Sequence, residues 1–172
     1  MHQKKTTPPS FLLRKATRAD GKSLLALVDA LADYEHLPRP RGGARRRLLR
    51  DAFRKRNRFD VYLALKGSRA IGYAIFFETY SSFLAQPTFY LEDIFVLAEY
   101  RGAGVGRKLF LQCLDEARRR NCGRMEWMVL DWNSPAIDFY TKLGASRLKG
   151  WLPFRIEKKN FRKILKHPRK RV

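Results

Sequence analysis

The sequence predicts one mixed α/β domain, built on a mostly antiparallel sheet with helices on both faces. Three observations lead there. Asp60–Leu65, Ala70–Tyr80 and Thr88–Val96 read as strands in meander order, the first two joined by the turn Lys66-Gly67-Ser68. Residues 104–121 then carry Val105, Leu109, Cys113 and Ala117 on one stripe, the pattern of a helix lying on a sheet. A strand over Arg124–Leu130 and a helix over Pro135–Leu143 follow, and a β–α–β step forces at least one parallel pair.

The remaining elements fall around this frame. Residues 1–10 are polar and proline-bearing and are expected to form a disordered arm. Phe11–Lys15 reads as a short strand. Asp20 is placed to cap a helix whose Leu24, Leu25, Leu27, Val28, Leu31 and Ala32 keep helical spacing. Pro38, Pro40, Gly42 and Gly43 break the chain before a basic helix over about 44–57, with Leu48, Leu49 and Phe53 inward. The helix after residue 134 has Ser134 as its expected cap, Pro135 at its first position and Gly144 as its stop. Leu152–Ile156 closes the domain as a last strand. The expected domain is thus 11–157, with 158–172 a basic C-terminal tail.

Composition narrows the function. At 172 residues, 45% of them hydrophobic, the chain can bury a core without disulfides or metal. Cys113 and Cys122 form no C-x-x-C pair and stand near no histidine cluster, so no metal is expected. Two cysteines and no signal peptide point to the cytoplasm, and no apolar run approaches a membrane span. The net charge is +21, and it is regional. Arg39–Arg58 holds ten basic residues and one acid, and 158–172 holds eight and none, so these 35 residues supply 17 of the 21 charges. Such segments suit an anionic partner, such as coenzyme phosphates or nucleic acid, although a solvated helix face and tail look the same. A lipid surface is a weaker reading, because the tail holds few bulky apolar residues for an amphipathic helix.

The most informative stretch is Arg101-Gly102-Ala103-Gly104-Val105-Gly106, between a strand and a helix. Glycines let the backbone approach a ligand, and the helix start offers free amides and the positive end of its dipole, which together suit a pyrophosphate. No Gly-Lys-Ser/Thr ends the loop, so it is not a P-loop. A G-x-G-x-G spacing after a meander does not fit the dinucleotide fingerprint either.

This loop matches the (Q/R)-x-x-G-x-(G/A) acetyl-CoA loop of the GNAT N-acetyltransferase superfamily. Tyr90-Leu91-Glu92-Asp93-Ile94-Phe95-Val96, Tyr100-Arg101-Gly102, Trp132-Asn133-Ser134-Pro135-Ala136-Ile137-Asp138-Phe139-Tyr140 and Gly144-Ala145-Ser146 resemble the spermidine/spermine N-acetyltransferase family more specifically. Tyr34-Glu35 and Gly150-Trp151 are weaker echoes. The resemblance covers about 11–160. It implies a GNAT fold with a splayed parallel pair at the acetyl-CoA site, acetyl-CoA as donor, a small primary amine as acceptor, and a homodimer. Donor contacts are implied at Ile94, Phe95, Val96, Arg101, Gly102, Ala103, Gly104, Val105, Gly106, Arg107 and Asn133, and acceptor contacts at Tyr34, Glu35 and Asp93.

The chemistry asks for a base near the amine and an acid near the sulfur. In strand Tyr90–Val96, Glu92 and Asp93 point to opposite faces, so with helices on both sides at least one is half-buried and holds protons more firmly. The resemblance puts the base at Glu92. Tyr140, which shares a helix face with Ala136 and Leu143, is the acid candidate. Two departures bear on the acceptor. His36-Leu37-Pro38-Arg39-Pro40-Arg41 and Ser81 with Phe83 stand where that family carries acids and a tryptophan. A shorter amine is therefore expected, or one that bears a carboxylate for Arg39 or Arg41 to pair with. The alternatives are a protein or peptide N-acetyltransferase with a basic docking surface, and a nucleic-acid-associated protein of this fold.

Overall fold

The computed structural model describes residues 11–166. They fall into two compact units divided between Met128 and Val129. In the first, strands β1 (Leu12–Lys15), β2 (Asp60–Lys66), β3 (Arg69–Ser81), β4 (Gln86–Val96) and β5 (Arg124–Glu126) form one sheet in chain order. The first four are antiparallel and β4–β5 is parallel. Helices α1 (Gly21–Tyr34), α2 (Gly43–Phe53) and α3 (Val105–Arg119) complete this unit, while α4 (Ser134–Lys142) and α5 (Lys158–Lys166) belong to the second. Among the described residues, no helix is long and apolar enough to cross a membrane.

Alternation along the strands splits the core. Val61, Leu63, Leu65, Tyr73, Ile75 and Phe95 pack with Leu24 and Leu27 of α1 and Ala52 of α2. On the other face, Tyr62 stacks on Phe76 and Phe76 on Phe89 at 5.2 and 4.7 Å, and the Tyr62 hydroxyl donates to Glu116 of α3. Arg120, just past α3, pairs with Asp60 of β2, Glu78 of β3 and Glu116, so the helix end is tied to the sheet by charge as well as by packing. Cys113, on the inner side of α3, is fully buried, and burial first, then Glu116, pushes its thiol up to about 12.

Several expectations are corrected. Asp20 stands before α1 but turns its carboxylate to Arg14 and the Thr17 amide, at 2.7 Å each, which holds it well below the usual carboxylate range. The basic helix expected over about 44–57 ends at Phe53, where Arg54 turns extended. The cap of α4 is Asn133, whose side chain accepts from the Ala136 amide at 3.3 Å; Ser134 is already inside the helix.

The strand expected over 124–130 stops at Glu126, since the ladder with β4 ends at Tyr90. Leu152–Ile156 forms no strand. Pro153 offers no amide, and no partner strand pairs with the segment among the described residues. Residues 158–166 are helical, and α5 gathers Phe161, Ile164 and Leu165 on one side with its lysines and arginine on the other, so its amphipathicity is stronger than composition suggests.

One contact sets how closely β3 and β4 lie under α3. A Cβ on Gly72 would stand 2.7 Å from the Phe95 carbonyl oxygen and 3.4 Å from Leu109 Cδ1. Backbone cannot yield as a side chain does, so Gly72→Ala is expected to cost ~1–3 kcal/mol of stability. Urea unfolding followed by circular dichroism measures this, and an unchanged midpoint would show that the spacing is not limiting.

Candidate active site

The site begins with a break in alternation. Ile75 of β3 faces Asp93, but Phe76 faces Leu91, so Glu92 is an extra residue in β4. A bulge of this kind shifts the face of everything beyond it. Phe89 and Leu91 lie with Phe76 on the α3 side, whereas Asp93 and Phe95 lie opposite Ile75 and Tyr73 on the α1 side. Glu92 is left exposed, and Asp93 is partly buried.

Asp93 accepts a hydrogen bond from the Tyr73 hydroxyl at 3.1 Å. Its carboxyl is raised to about 6, chiefly by burial and then by the charge of Glu92. Tyr73 opposes the rise, and Glu35 at the end of α1 adds to it. Burial raises Glu35 as well. Burial raises the Tyr73 phenol well above its ordinary value, and the surrounding carboxylates add to this. Three acids from two elements thus act on one another, with Asp93 and Glu35 partly buried and Glu92 exposed. The sign follows from linkage: the folded protein binds the Asp93 proton more tightly than the unfolded chain, so stability falls as pH rises from about 4 to 6. A bound cation would offset that cost.

The floor beside the acids is aromatic. Tyr34 and Phe95 have ring centroids 6.2 Å apart, and Tyr73 and Phe95 6.4 Å apart. The Arg101 guanidinium lies 4.5 Å over Tyr34 and 5.4 Å over Phe95, and its Nε donates to the Val96 carbonyl at 2.9 Å. Arg101 therefore joins the glycine loop to the acid cluster, and the carbonyl of Val96, one of the expected donor contacts, is engaged within the chain.

Beyond Arg101 the chain turns through glycines into the start of α3. Gly102 and Gly104 have φ of 76° and 81°, values that suit glycine, and a Cβ on either would stand in open space. Gly104 leads into α3. Among the described residues its first amides carry no side-chain cap, and exposed Arg107 flanks them. Ala103 is exposed in the turn, while Val105 is buried and anchors it. Alongside, β4 continues from Leu91 to Val96 past its last β5 partner, including Ile94 and Phe95, which is the parting of a parallel pair that admits an extended ligand arm.

The second unit holds Asn133 and Tyr140. Asn133 is buried at the head of α4, and Tyr140 is partly buried with its ring 5.2 Å from that of Phe139. The Tyr140 carbonyl accepts from the amides of Leu143 and Ala145, which closes the helix.

Sequence reasoning placed Glu35, Glu92 and Asp93 as site residues but missed Tyr73, on the neighbouring strand β3. Arg39, considered as a partner for an acceptor carboxylate, donates from Nε and Nη2 to the carboxylate of Asp33.

A glycine turn at a strand–helix junction, beside a cluster of carboxylates, is the arrangement expected of an acetyltransferase. The chain belongs to the GNAT acetyltransferase family, whose model matches residues 24–145. It is 33% identical over 166 residues to thialysine N-epsilon-acetyltransferase of Sus scrofa, covering 90% of this chain and 97% of that one. Over 80 residues it is 45% identical to L-ornithine N5-acetyltransferase of Arabidopsis thaliana, covering 46% of this chain and 35% of that one. Among solved structures, an integron cassette protein from the mobile metagenome of V. cholerae superposes with a TM-score of 0.78 at 22% identity, over 92% of this chain and 99% of that one. The chain is thus an N-acetyltransferase.

If the loop holds the donor, Gly104→Asp is expected to weaken coenzyme A binding by at least ~2 kcal/mol through repulsion and lost amide contacts. Asp tolerates positive φ better than most residues, so the variant should fold. Unchanged affinity by calorimetry, in a folded variant, would remove the assignment.

Proposed function

We propose that this enzyme acetylates the primary amine of a small molecule, polyamine-like or lysine-like, by direct transfer from acetyl-CoA. The observation that carries this reading is the convergence of Glu35, Glu92 and Asp93 beside the glycine loop. An alkylammonium is drawn to such a cluster, and its charge relieves the burial of the carboxylates. The names of the relatives, which concern thialysine and ornithine, favour an amino acid with a side-chain amine.

In this reading Tyr34, Glu35 and Asp93 bind the acceptor. Glu92, exposed at the bulge, takes the ammonium proton directly or through water. When bound, acetyl-CoA supplies the acyl group as an activated thioester. The amine nitrogen forms its bond to the carbonyl carbon as the carbon–sulfur bond breaks, the Tyr140 hydroxyl gives its proton to the departing sulfur, and the proton that the acylated nitrogen then loses restores the phenol. Amides of Gly102–Gly106 and the α3 start, with Arg107, hold the pyrophosphate, and the edge of β4 past its last β5 partner, at Ile94 and toward Val96, pairs with the pantetheine arm, the Val96 carbonyl being held by Arg101. Asn133 is committed to capping α4, which supports a role in placing Tyr140 more than one in direct donor contact.

A homodimer is part of this proposal. Large apolar side chains over 151–165 stand in water, Phe154 at 93% and Leu165 at 83% exposure, and a second copy would cover them. Cytoplasmic residence fits two free cysteines. An anionic partner along Arg39–Arg58 has less support, since Arg39, Arg45, Arg50 and Arg58 already pair with Asp33, Asp29 and Asp51.

Glu92→Gln is expected to lower turnover ~10²-fold or more, and Tyr140→Phe to lower it with little change in acetyl-CoA affinity. Near wild-type turnover in both from pH 6 to 9 would show these roles are misassigned. A competition among spermine, spermidine, lysine and thialysine at fixed ionic strength tests the acceptor. A specificity constant for spermine tenfold above the others would overturn the preference for an amino acid.

A further inference from the structure

We propose that Tyr73 is a positioning residue for the acceptor, its hydroxyl holding Asp93 in the orientation and charge state that receive the ammonium. This rests on Asp93 binding the acceptor, as proposed above.

Tyr73 is fully buried in the middle of β3, within the cluster that contains Leu24, Leu63 and Ile75. Its ring cannot swing away without opening that core. A buried phenol must find an acceptor for its O–H, and this one meets Asp93 Oδ2 at 3.1 Å. The contact exists because the bulge at Glu92 turns Asp93 onto the Tyr73 face. If packing alone were needed, phenylalanine would serve without the cost of burying a hydroxyl, as Phe76 and Phe89 do nearby.

The groups acting on Asp93 come from three elements. Glu92 of β4 and Glu35 at the end of α1 press it toward the neutral acid, and Tyr73 of β3 favours the carboxylate. Arg101, from the loop before α3, lies over the neighbouring Phe95 ring and Tyr34. Without the phenol, the two like charges and burial act unopposed, and Asp93 holds its proton to higher pH. A protonated Asp93 attracts an ammonium less.

The test is the pH profile of kcat/KM for the preferred amine, in wild type, Tyr73→Phe and Glu35→Gln. The wild-type acid limb is expected near pH 6. Tyr73→Phe should move it up by ~0.5 unit or more, and Glu35→Gln should move it down, because one change removes a donor and the other a like charge. Added to Asp93→Asn, Tyr73→Phe should have no further effect on kcat/KM. A merely structural role predicts instead a loss of the same size at every pH. An unmoved limb in a folded Tyr73→Phe protein, both limbs moving the same way, or a further loss in the Asp93→Asn background would each overturn the proposal. If wild type acetylates no amine, the acceptor reading itself fails. The Tyr73 pairing is then read by NMR titration of the Asp93 carboxyl, where an equal midpoint in wild type and Tyr73→Phe refutes it.

Discussion

The site depends on one extra residue in β4. A regular ladder through Glu92 would keep Asp93 on the face of Phe89 and Leu91, against the apolar side of α3. The bulge forfeits regular pairing at one position, and in return reverses the facing of the last four residues of the strand. Phe95 can then enter the α1 core, and Asp93 reaches Tyr73 and Glu35. It also marks where β4 and β5 part: the ladder ends at Tyr90, two residues before the bulge. One local irregularity thus opens the edge on which a donor arm can lie and assembles the acids on which an amine can sit.

Charge is arranged on two scales. The chain as a whole is strongly cationic, an unpromising host for an ammonium. Beyond about 10 Å, however, salt screens that field, and what the amine meets is local. Part of the basic segment is paired with neighbouring acids: Arg45 reaches Asp29, and Arg39 is joined to Asp33. Glu35, Glu92 and Asp93 act at that local scale, with burial raising Asp93 and Glu35 and Glu92 standing exposed beside them. Net charge and binding preference are therefore decoupled.

The meander, the long amphipathic helix and the glycine turn were legible in the sequence because each is a local pattern. Apolar spacing marks α1 and α3, and the loop 101–106 needs only adjacent glycines and a helix start. Non-local features were not legible. Strict alternation separates Glu92 from Asp93, but it cannot say which is buried or that Tyr73 waits opposite, since a bulge is fixed by register with another strand. Leu152–Ile156 has strand-like composition, yet a strand exists only with a partner, and Pro153 removes one donor. At α4, Asn133 and Ser134 are both good caps, and a shift of one residue decides between them.

The chemical quiet of the two cysteines has a practical side. Released coenzyme A is readily counted with a disulfide dye that reacts with thiolates. Cys113 is out of reach of such a reagent, and its thiol stays protonated at neutral pH. Burial also raises the thiol of half-buried Cys122. The enzyme should therefore add little colour of its own, so that turnover can be followed continuously, at high enzyme concentration, without first alkylating the protein.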